Sequence, residues 1–250
     1  MISNNKKIPI LKKWGQNFLI DNNVIRKIIK IIDPHSDDII VEIGPGKGAL
    51  TMNLSKQVKK IYGIEIDPLL FNYLNDRKTK NVKLINEDIL KWQHSKNDYN
   101  KVIGNIPYNI SSQIIIKFIK IDFWDSMFLM LQKELAERIV SKHGSKNYGR
   151  ISVMVQTFCN IKLEFNISRN VFLPKPKIDS SILSFKRKDV NVDFNNFSIL
   201  IKESFKQRRK KLKNNLKNIC DSTNLGDFSD LRAEEISVDN FHKLYEKIYI

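Results

Sequence analysis

The tetrapeptide Asn105-Ile106-Pro107-Tyr108 contains residue types that can bind a flat base carrying an amino group. An amide oxygen and a backbone carbonyl can each accept a hydrogen from an exocyclic amine, and a tyrosine ring can stack on the base. The tetrapeptide follows an apolar strand candidate at 101–104 and precedes Ser111 and Ser112, which we expect to cap a helix. The same residue types also form ordinary turns, so the interpretation depends on motifs elsewhere in the chain.

Alternating strand and helix patterns surround this tetrapeptide. The predicted strands are 39–43, 61–66, 82–85, 101–104 and 127–131, with two more near 161–165 and 180–185. The predicted helices are 22–32 (behind Asp21 as a cap), 49–56, 68–76, 111–120, 133–140 and 151–158. This alternation predicts a doubly wound α/β sheet, whose ligands bind at the carboxyl ends of the strands.

Four successive strand ends carry glycines, an acid, an acid and an amide. The first strand runs into Gly44 and Gly46, which let the backbone turn tightly and approach a ligand closely. The second ends at Glu65, where a carboxylate can bind ribose hydroxyls. Asp88 follows the third and can accept a hydrogen bond from the adenine amino group of a nucleoside cofactor; Asn105 follows the fourth. The glycine loop alone also satisfies the relaxed dinucleotide fingerprint.

The chain changes character after its last predicted strand. Residues 186–191 are polar and read as a linker, and the remainder is Lys-rich with a helical pattern. We therefore predict two domains, 1–187 and 188–250. A basic stretch in the second domain predicts contacts with RNA phosphates, although a solvated helix face is the plainer alternative. The predicted RNA-binding residues are Arg208, Arg209, Lys210, Lys211 and Lys213.

Charge and composition restrict the class of partner. Lys and Arg number 43 against 27 acids, a formal charge of +16, which favours a polyanion such as nucleic acid. Lys is widespread, however, so the total charge is weaker evidence than its clustering. Neither Cys159 nor Cys220 has a neighbour at ligand spacing, so no metal site is expected. No leader peptide or membrane span is expected either, and the sequence favours a cytoplasmic monomer.

Taken together, these motifs resemble the small-subunit ribosomal RNA adenine-N6 dimethyltransferases. The resemblance covers nearly the whole chain, and its matching segments are 12–19, 42–51, Glu65, Asp88, 105–108, 132–138, 148–150, 172–180, 207–216 and 232–237.

The resemblance implies a fold and an activity. The expected fold is a Rossmann-like class I methyltransferase sheet with a small all-α C-terminal domain. The expected cofactor is S-adenosylmethionine, without a metal. The expected activity is dimethylation of two adjacent adenines in the 3′-terminal hairpin loop of 16S rRNA, within the 30S subunit and as part of its biogenesis.

It also implies residue roles. The implied cofactor-binding residues are Gln16, Asn17, Leu19, Gly44, Gly46, Glu65, Asp88 and Asn105. The implied catalytic residues are Asn105, Pro107, Tyr108 and Phe172. Asn105 and the backbone near Pro107 would hold the target amine. Tyr108 would stack on one face of the target base and Phe172 would cover the other.

Three alternatives remain open from the sequence. The related 23S rRNA dimethyltransferases of macrolide resistance share the glycine loop and the Asn105 motif. A non-catalytic assembly factor would use only the basic stretch. An NAD-dependent dehydrogenase would explain the glycine loop, but neither Asn105 nor the charge.

Overall fold

The computed structural model describes residues 16–93 and 98–250, so Lys12–Gly15 of the predicted N-terminal motif lie outside the described residues. Its strands are β1 (Phe18–Leu19), β2 (Ile39–Ile43), β3 (Lys60–Ile64), β4 (Val82–Ile85), β5 (Lys101–Asn105), β6 (Ser126–Gln132), β7 (Cys159–Ile167), β8 (Phe172–Leu173) and β9 (Ser180–Arg187). Its α-helices are α1 (Asn22–Ile32), α2 (Thr51–Leu54), α3 (Pro68–Asn75), α4 (Ser111–Ile119), α5 (Lys133–Val140), α6 (Arg150–Phe158), α7 (Phe194–Ser204), α8 (Leu212–Asn215), α9 (Ser222–Leu225) and α10 (Val238–Tyr249).

Most predicted elements are present, with two corrections. Helix α1 begins where predicted, because the Asp21 side chain accepts hydrogen bonds from the N–H groups of Asn23 and Val24. Helix α2 is shorter than the predicted 49–56. Ser111 is not a cap but the first residue of α4, and its hydroxyl donates to the Pro107 carbonyl at 3.0 Å.

Seven strands form one mixed sheet in the order β4-β3-β2-β5-β6-β9-β7. The first five of these run parallel, and β9 pairs antiparallel with both β6 and β7. From β2 the chain winds outward through β3 to β4, then returns to the other side of β2 as β5. The reversal places the loops after β2 and β5 side by side, at the switch point where ligands of such sheets bind.

The sheet is covered on both faces because its central strands are apolar on both sides. On β2, Ile40 belongs to a cluster with α1, while its neighbour Val41 belongs to a second cluster with α4 and α6. No helix in the described chain has the length and apolar character needed to cross a membrane.

The proposed domain boundary falls at the end of β9. The helices after Arg187 make up the predicted C-terminal domain. Their buried apolar residues belong to the same hydrophobic cluster as residues of the sheet. Phe158 at the end of α6 packs against Phe194 and Phe197 of α7, with ring centroids 5.3 and 6.2 Å apart. The division into 1–187 and 188–250 stays a prediction, and this apolar contact would hold its two parts together.

Candidate active site

A cavity lies at the switch point, between the loops that follow β2, β3 and β5. Nine of the predicted site residues line it: Gln16, Asn17, Leu19, Gly44, Gly46, Glu65, Asn105, Pro107 and Tyr108. The remaining wall includes Glu42, Ile106 and Leu173, which were not among the predicted site residues. The fold therefore brings residues from three strand ends and from the N-terminal segment to one place.

The glycine loop needs glycine at two positions that face this cavity. Gly44 and Gly46 have φ angles of +62° and +58°, a region that residues with a Cβ rarely adopt. A Cβ at Gly46 would also lie 3.3 Å from the Phe18 ring. Substitution at Gly46 would thus strain the loop and push against the N-terminal segment that covers it.

Glu65 connects the first two strand-end loops. Its two carboxylate oxygens accept hydrogen bonds from the backbone N–H of Gly46 at 2.9 Å and of Asp67 at 3.0 Å. The side chain is only 4% exposed, and burial raises its pKa, while these backbone donors oppose the rise. Glu65 therefore shapes the glycine loop in addition to facing the cavity, a role that sequence reasoning did not foresee.

Glu42 is a second buried acid in the cavity wall. Its side chain is 3% exposed, and Oε2 has no hydrogen-bond partner among the described residues. Burial raises its pKa to about 7, the negative charge of Glu65 adds to the rise, and contacts with Thr51 oppose it. Glu42 is the one acid within the apolar run of β2. An acid inside a predicted buried strand is the sequence signal by which this residue could have been found.

The N-terminal segment, residues 16–20, lines the cavity beside the glycine loop. Gln16 Nε2 donates to Asp67 Oδ2 at 2.6 Å, and Asp67 in turn caps α3 through Leu69 N–H. The two-residue strand β1 pairs antiparallel with β8, so Leu19 lies opposite Phe172. These contacts join the segment to the start of α3 and to β8.

Asn105 is oriented by that same segment. Its Nδ2 donates to the backbone carbonyl of Asn17 at 2.7 Å. An amide side chain has one donor group and one acceptor oxygen. Because the donor group of Asn105 is bound to the Asn17 carbonyl, its Oδ1 is left as the acceptor for a ligand. An acceptor at this point is what an exocyclic amine requires.

Among the described residues, the backbone carbonyl available beside Asn105 is that of Ile106 rather than that of Pro107. The Pro107 carbonyl already accepts hydrogen bonds from the Ser111 hydroxyl and from Ile110 N–H. The Ile106 N–H is bound to Met130, while no donor within the described residues reaches the Ile106 carbonyl. The backbone acceptor near Pro107 stays a prediction, and the Ile106 carbonyl is the group available for it.

Tyr108 is half-buried in the cavity wall and its hydroxyl lies 2.8 Å from the Ser180 Oγ. Burial raises the pKa of the Tyr108 phenol, so the ring is neutral near pH 7. A neutral aromatic ring held at its hydroxyl is suited to stacking on a base.

Two predicted site residues do not line the cavity. Asp88 follows β4, the edge strand, one strand beyond Glu65, and its Oδ1 accepts from Leu90 N–H. Phe172 is 2% exposed and packs in the cluster with α1, because strand neighbours point to opposite faces and Leu173 takes the outward position. Leu173 lines the cavity wall beside it, and the expectation that Phe172 covers the target base stays a prediction.

The predicted RNA-binding cations do not lie on one continuous helix. Residues 205–210 form turns, and α8 contains only four residues. Arg208 pairs with Glu234, while Asp230 accepts from both Lys211 and Lys213, and these hydrogen bonds lower its pKa to about 2. Within 16–93 and 98–250, Arg209 and Lys210 make no side-chain hydrogen bond or ion pair.

Apolar side chains attach this basic stretch to the rest of the protein. Leu212 and Leu216 are fully buried, and Phe205 packs on Tyr148 with ring centroids 6.2 Å apart. In the described part of the chain, no group of three or more His, Cys, Asp or Glu side chains is arranged to hold a metal ion.

The sheet order and the glycine loop at its switch point define the fold of the class I S-adenosylmethionine-dependent methyltransferases. The family model for ribosomal RNA adenine dimethylase matches residues 9–249. The Ribosomal RNA small subunit methyltransferase A of Francisella tularensis subsp. tularensis is 43% identical over 254 residues, covering 95% of this chain and 97% of that protein. The chain therefore belongs to the ribosomal RNA adenine dimethylase family.

Solved structures agree with this assignment. A dimethyladenosine transferase from Plasmodium falciparum matches with a TM-score of 0.82 at 28% identity, covering 91% of this chain and 95% of that one. The 23S rRNA methyltransferase ErmE matches with a TM-score of 0.72 at 22% identity, covering 93% and 99%. At that identity the likeness to ErmE shows the fold alone.

Proposed function

We infer that this protein transfers methyl groups from S-adenosylmethionine to the N6 amines of two adjacent adenines in the 3′-terminal hairpin loop of 16S rRNA. The observation that carries the inference is the orientation of Asn105, whose donor is bound to Asn17 and whose acceptor is left for the cavity. The family relationship and the name of the Francisella relative favour the small subunit. A role in 30S biogenesis in the cytoplasm follows from that substrate.

The chemistry of the cavity fits a cationic nucleoside cofactor. Glu42 and Glu65 are buried acids in its wall. Glu42 Oε2 has no partner among the described residues, and a ligand that brings positive charge would stabilise Glu42 as a carboxylate. Gly44 and Gly46 let backbone approach the same ligand. We propose that these four residues with Gln16, Asn17 and Leu19 hold the cofactor, with Asp88 reached by its adenine end.

S-adenosylmethionine supplies an electrophilic methyl group when bound. The chain's own residues must make the adenine amine nucleophilic, because its lone pair is delocalised into the ring. Asn105 Oδ1 and the Ile106 carbonyl would each accept one N6 hydrogen, which turns the lone pair out of the plane of the base. No acid or base side chain is needed before attack, since the amine loses its proton afterwards.

Access to the amine requires the adenine to leave its stack. Tyr108 offers an aromatic face beside Asn105, and stacking on a protein ring offsets part of the loss of base stacking. The monomethylated amine still has one N–H for an acceptor, so the same arrangement permits a second transfer.

Methyl transfer to isolated subunits tests the proposal. The purified full chain would be incubated with tritiated S-adenosylmethionine and with unmethylated small subunits or large subunits in parallel. We expect N6-dimethyladenosine by nucleoside mass spectrometry, and two adjacent primer-extension stops near the 3′ end of 16S rRNA. Label in 23S rRNA alone would support the macrolide-resistance type of activity, and subunit binding without transfer would support an assembly factor; either result would overturn the proposal.

A further inference from the structure

Within the described residues, the Tyr108 hydroxyl has one hydrogen-bond partner, the hydroxyl of Ser180. The two oxygens are 2.8 Å apart, and Ser180 is 0% exposed while Tyr108 is half-buried. The residues are 72 positions apart in the chain, so this bond joins the loop after β5 to the start of β9.

The backbone around Ser180 is fixed on both sides. As the first residue of β9 it pairs with Gln132 of β6 and with Ile167 of β7. The preceding residue, Asp179, accepts a hydrogen bond from Lys133 N–H at 3.1 Å through its carbonyl. A hydroxyl carried between two strands is a rigid support, whereas the loop that bears Tyr108 is not part of the sheet.

Because a tyrosine ring can rotate and tilt about its side-chain bonds, one bond at its far end restricts the ring plane. Asn105 and Tyr108 line the same cavity, so the ring plane decides where a stacked base presents its amine. An error of about 1 Å in such a position can cost roughly 100-fold in rate.

We propose that Ser180 is a positioning residue for methyl transfer, which holds the Tyr108 ring so that a stacked adenine presents N6 to Asn105. The inference rests on the proposed function. In this proposal Ser180 contacts neither the cofactor nor the base and acts only through Tyr108. The neighbouring residue provides a matched control: Ser181 is also 0% exposed, and its hydroxyl bonds Asn166 Oδ1 at 2.8 Å, away from Tyr108.

A double-mutant cycle on the full chain tests this. Ser180→Ala, Tyr108→Phe, the double variant and Ser181→Ala would be compared for kcat and KM with unmethylated small subunits, and for the ratio of monomethyl to dimethyl adenosine. We expect each single change at 180 or 108 to lower kcat/KM roughly 5- to 10-fold, the range set by one buried hydrogen bond. The double variant should be no worse than either single variant, and all should accumulate monomethyl product.

Controls separate positioning from general damage. Ser181→Ala should stay within about twofold of the wild type in kcat/KM while losing similar thermal stability to Ser180→Ala, since each loses one buried hydrogen bond. S-adenosylmethionine affinity, measured by calorimetry, should be unchanged in every variant.

Multiplicative losses in the double variant, or an equal loss in Ser181→Ala, would overturn the role of Ser180. If Ser180→Ala does not fold, Tyr108→Phe breaks the same bond from the other side, and wild-type activity in that variant would be decisive against the proposal. A wild-type protein that methylates no small subunit would instead refute the proposed function, so the two failures are distinct.

Discussion

Asn105 Nδ2 donates to the Asn17 carbonyl at 2.7 Å, across 88 positions of the chain. The bond makes the N-terminal segment part of the reacting site, because it fixes which end of the amide faces the cavity. Gln16 anchors the same segment on Asp67, and Glu65 ties Asp67 to the glycine loop. The glycine loop and Asn105 are thus connected through a few hydrogen bonds.

The support that Glu65 gives the glycine loop predicts a loss on Glu65→Gln. A glutamine keeps one acceptor oxygen but turns an NH₂ group towards either Gly46 N–H or Asp67 N–H, leaving one buried donor without a partner. We expect about 1–3 kcal/mol lower stability in denaturant unfolding, and weaker S-adenosylmethionine binding by roughly 10-fold in calorimetry.

Glu87→Gln is the matched control, since Glu87 is a half-buried acid after β4 that does not line the cavity. Equal effects of the two changes would show that loss of an acid near the site matters, not the support of the loop.

The buried Glu42 predicts a pH dependence of stability. Its pKa is raised from 4.5 to about 7, so in that window the folded protein keeps a proton that the unfolded chain has released. Stability should therefore fall as pH rises from about 4.5 to about 7, at up to about 1 kcal/mol per pH unit. Glu42→Gln should flatten this slope in unfolding experiments across pH 4.5–7.

Glu65, whose pKa is also raised, contributes a slope of the same sign to both proteins, so Glu42→Gln should reduce the slope without abolishing it. Identical slopes for the wild type and Glu42→Gln would contradict the assignment of a buried, protonated Glu42.

Substitutions at Phe172 and Leu173 should have different effects on stability and on activity. Phe172→Ala empties a buried position beside α1, so it should cost about 3–5 kcal/mol of unfolding free energy. Leu173 is 53% exposed, so Leu173→Ala should leave the melting temperature almost unchanged. Because Leu173 lines the cavity, its truncation should raise the KM for small subunits severalfold. A stable Phe172→Ala variant with a raised KM would support the role expected for Phe172 from the sequence and contradict this assignment to the core.

Arg209 and Lys210 should contribute more to RNA binding than their neighbours, because Arg208, Lys211 and Lys213 already have acidic partners. Arg209→Ala with Lys210→Ala should weaken binding to small subunits and reduce the slope of log K against log salt by about 1.5–2. Lys59→Ala with Lys83→Ala removes the same charge from exposed positions, one just before β3 and one in β4, and should change little. Equal slopes for the two pairs would argue for net charge alone.

Sequence reasoning predicted the sheet and most of the cavity wall because strand ends are local features. The glycine loop, Glu65 and Asn105 each follow an apolar run, and parallel strands bring their carboxyl ends to one edge. The β1–β8 ribbon could not be predicted, since two-residue strands have no periodicity to detect.

Other features of the structure depend on tertiary contacts. Phe172 is buried in the cluster with α1, and the strand that carries it pairs with the N-terminal strand β1. The ion pairs of Asp230 with the basic stretch likewise join residues far apart in sequence. None of these partners can be read from a local pattern.

The most direct measurement is the single-turnover rate of methyl transfer to small subunits by Asn105→Ala, with subunit binding measured alongside. Asn53→Ala is the control, because Asn53 Nδ2 also donates to a backbone carbonyl but on the exposed face of α2. Removal of the acceptor that orients the amine should lower the rate at least about 100-fold, while subunit binding stays within severalfold and Asn53→Ala remains active. An Asn105→Ala protein that dimethylates 16S rRNA at the wild-type rate would contradict the account.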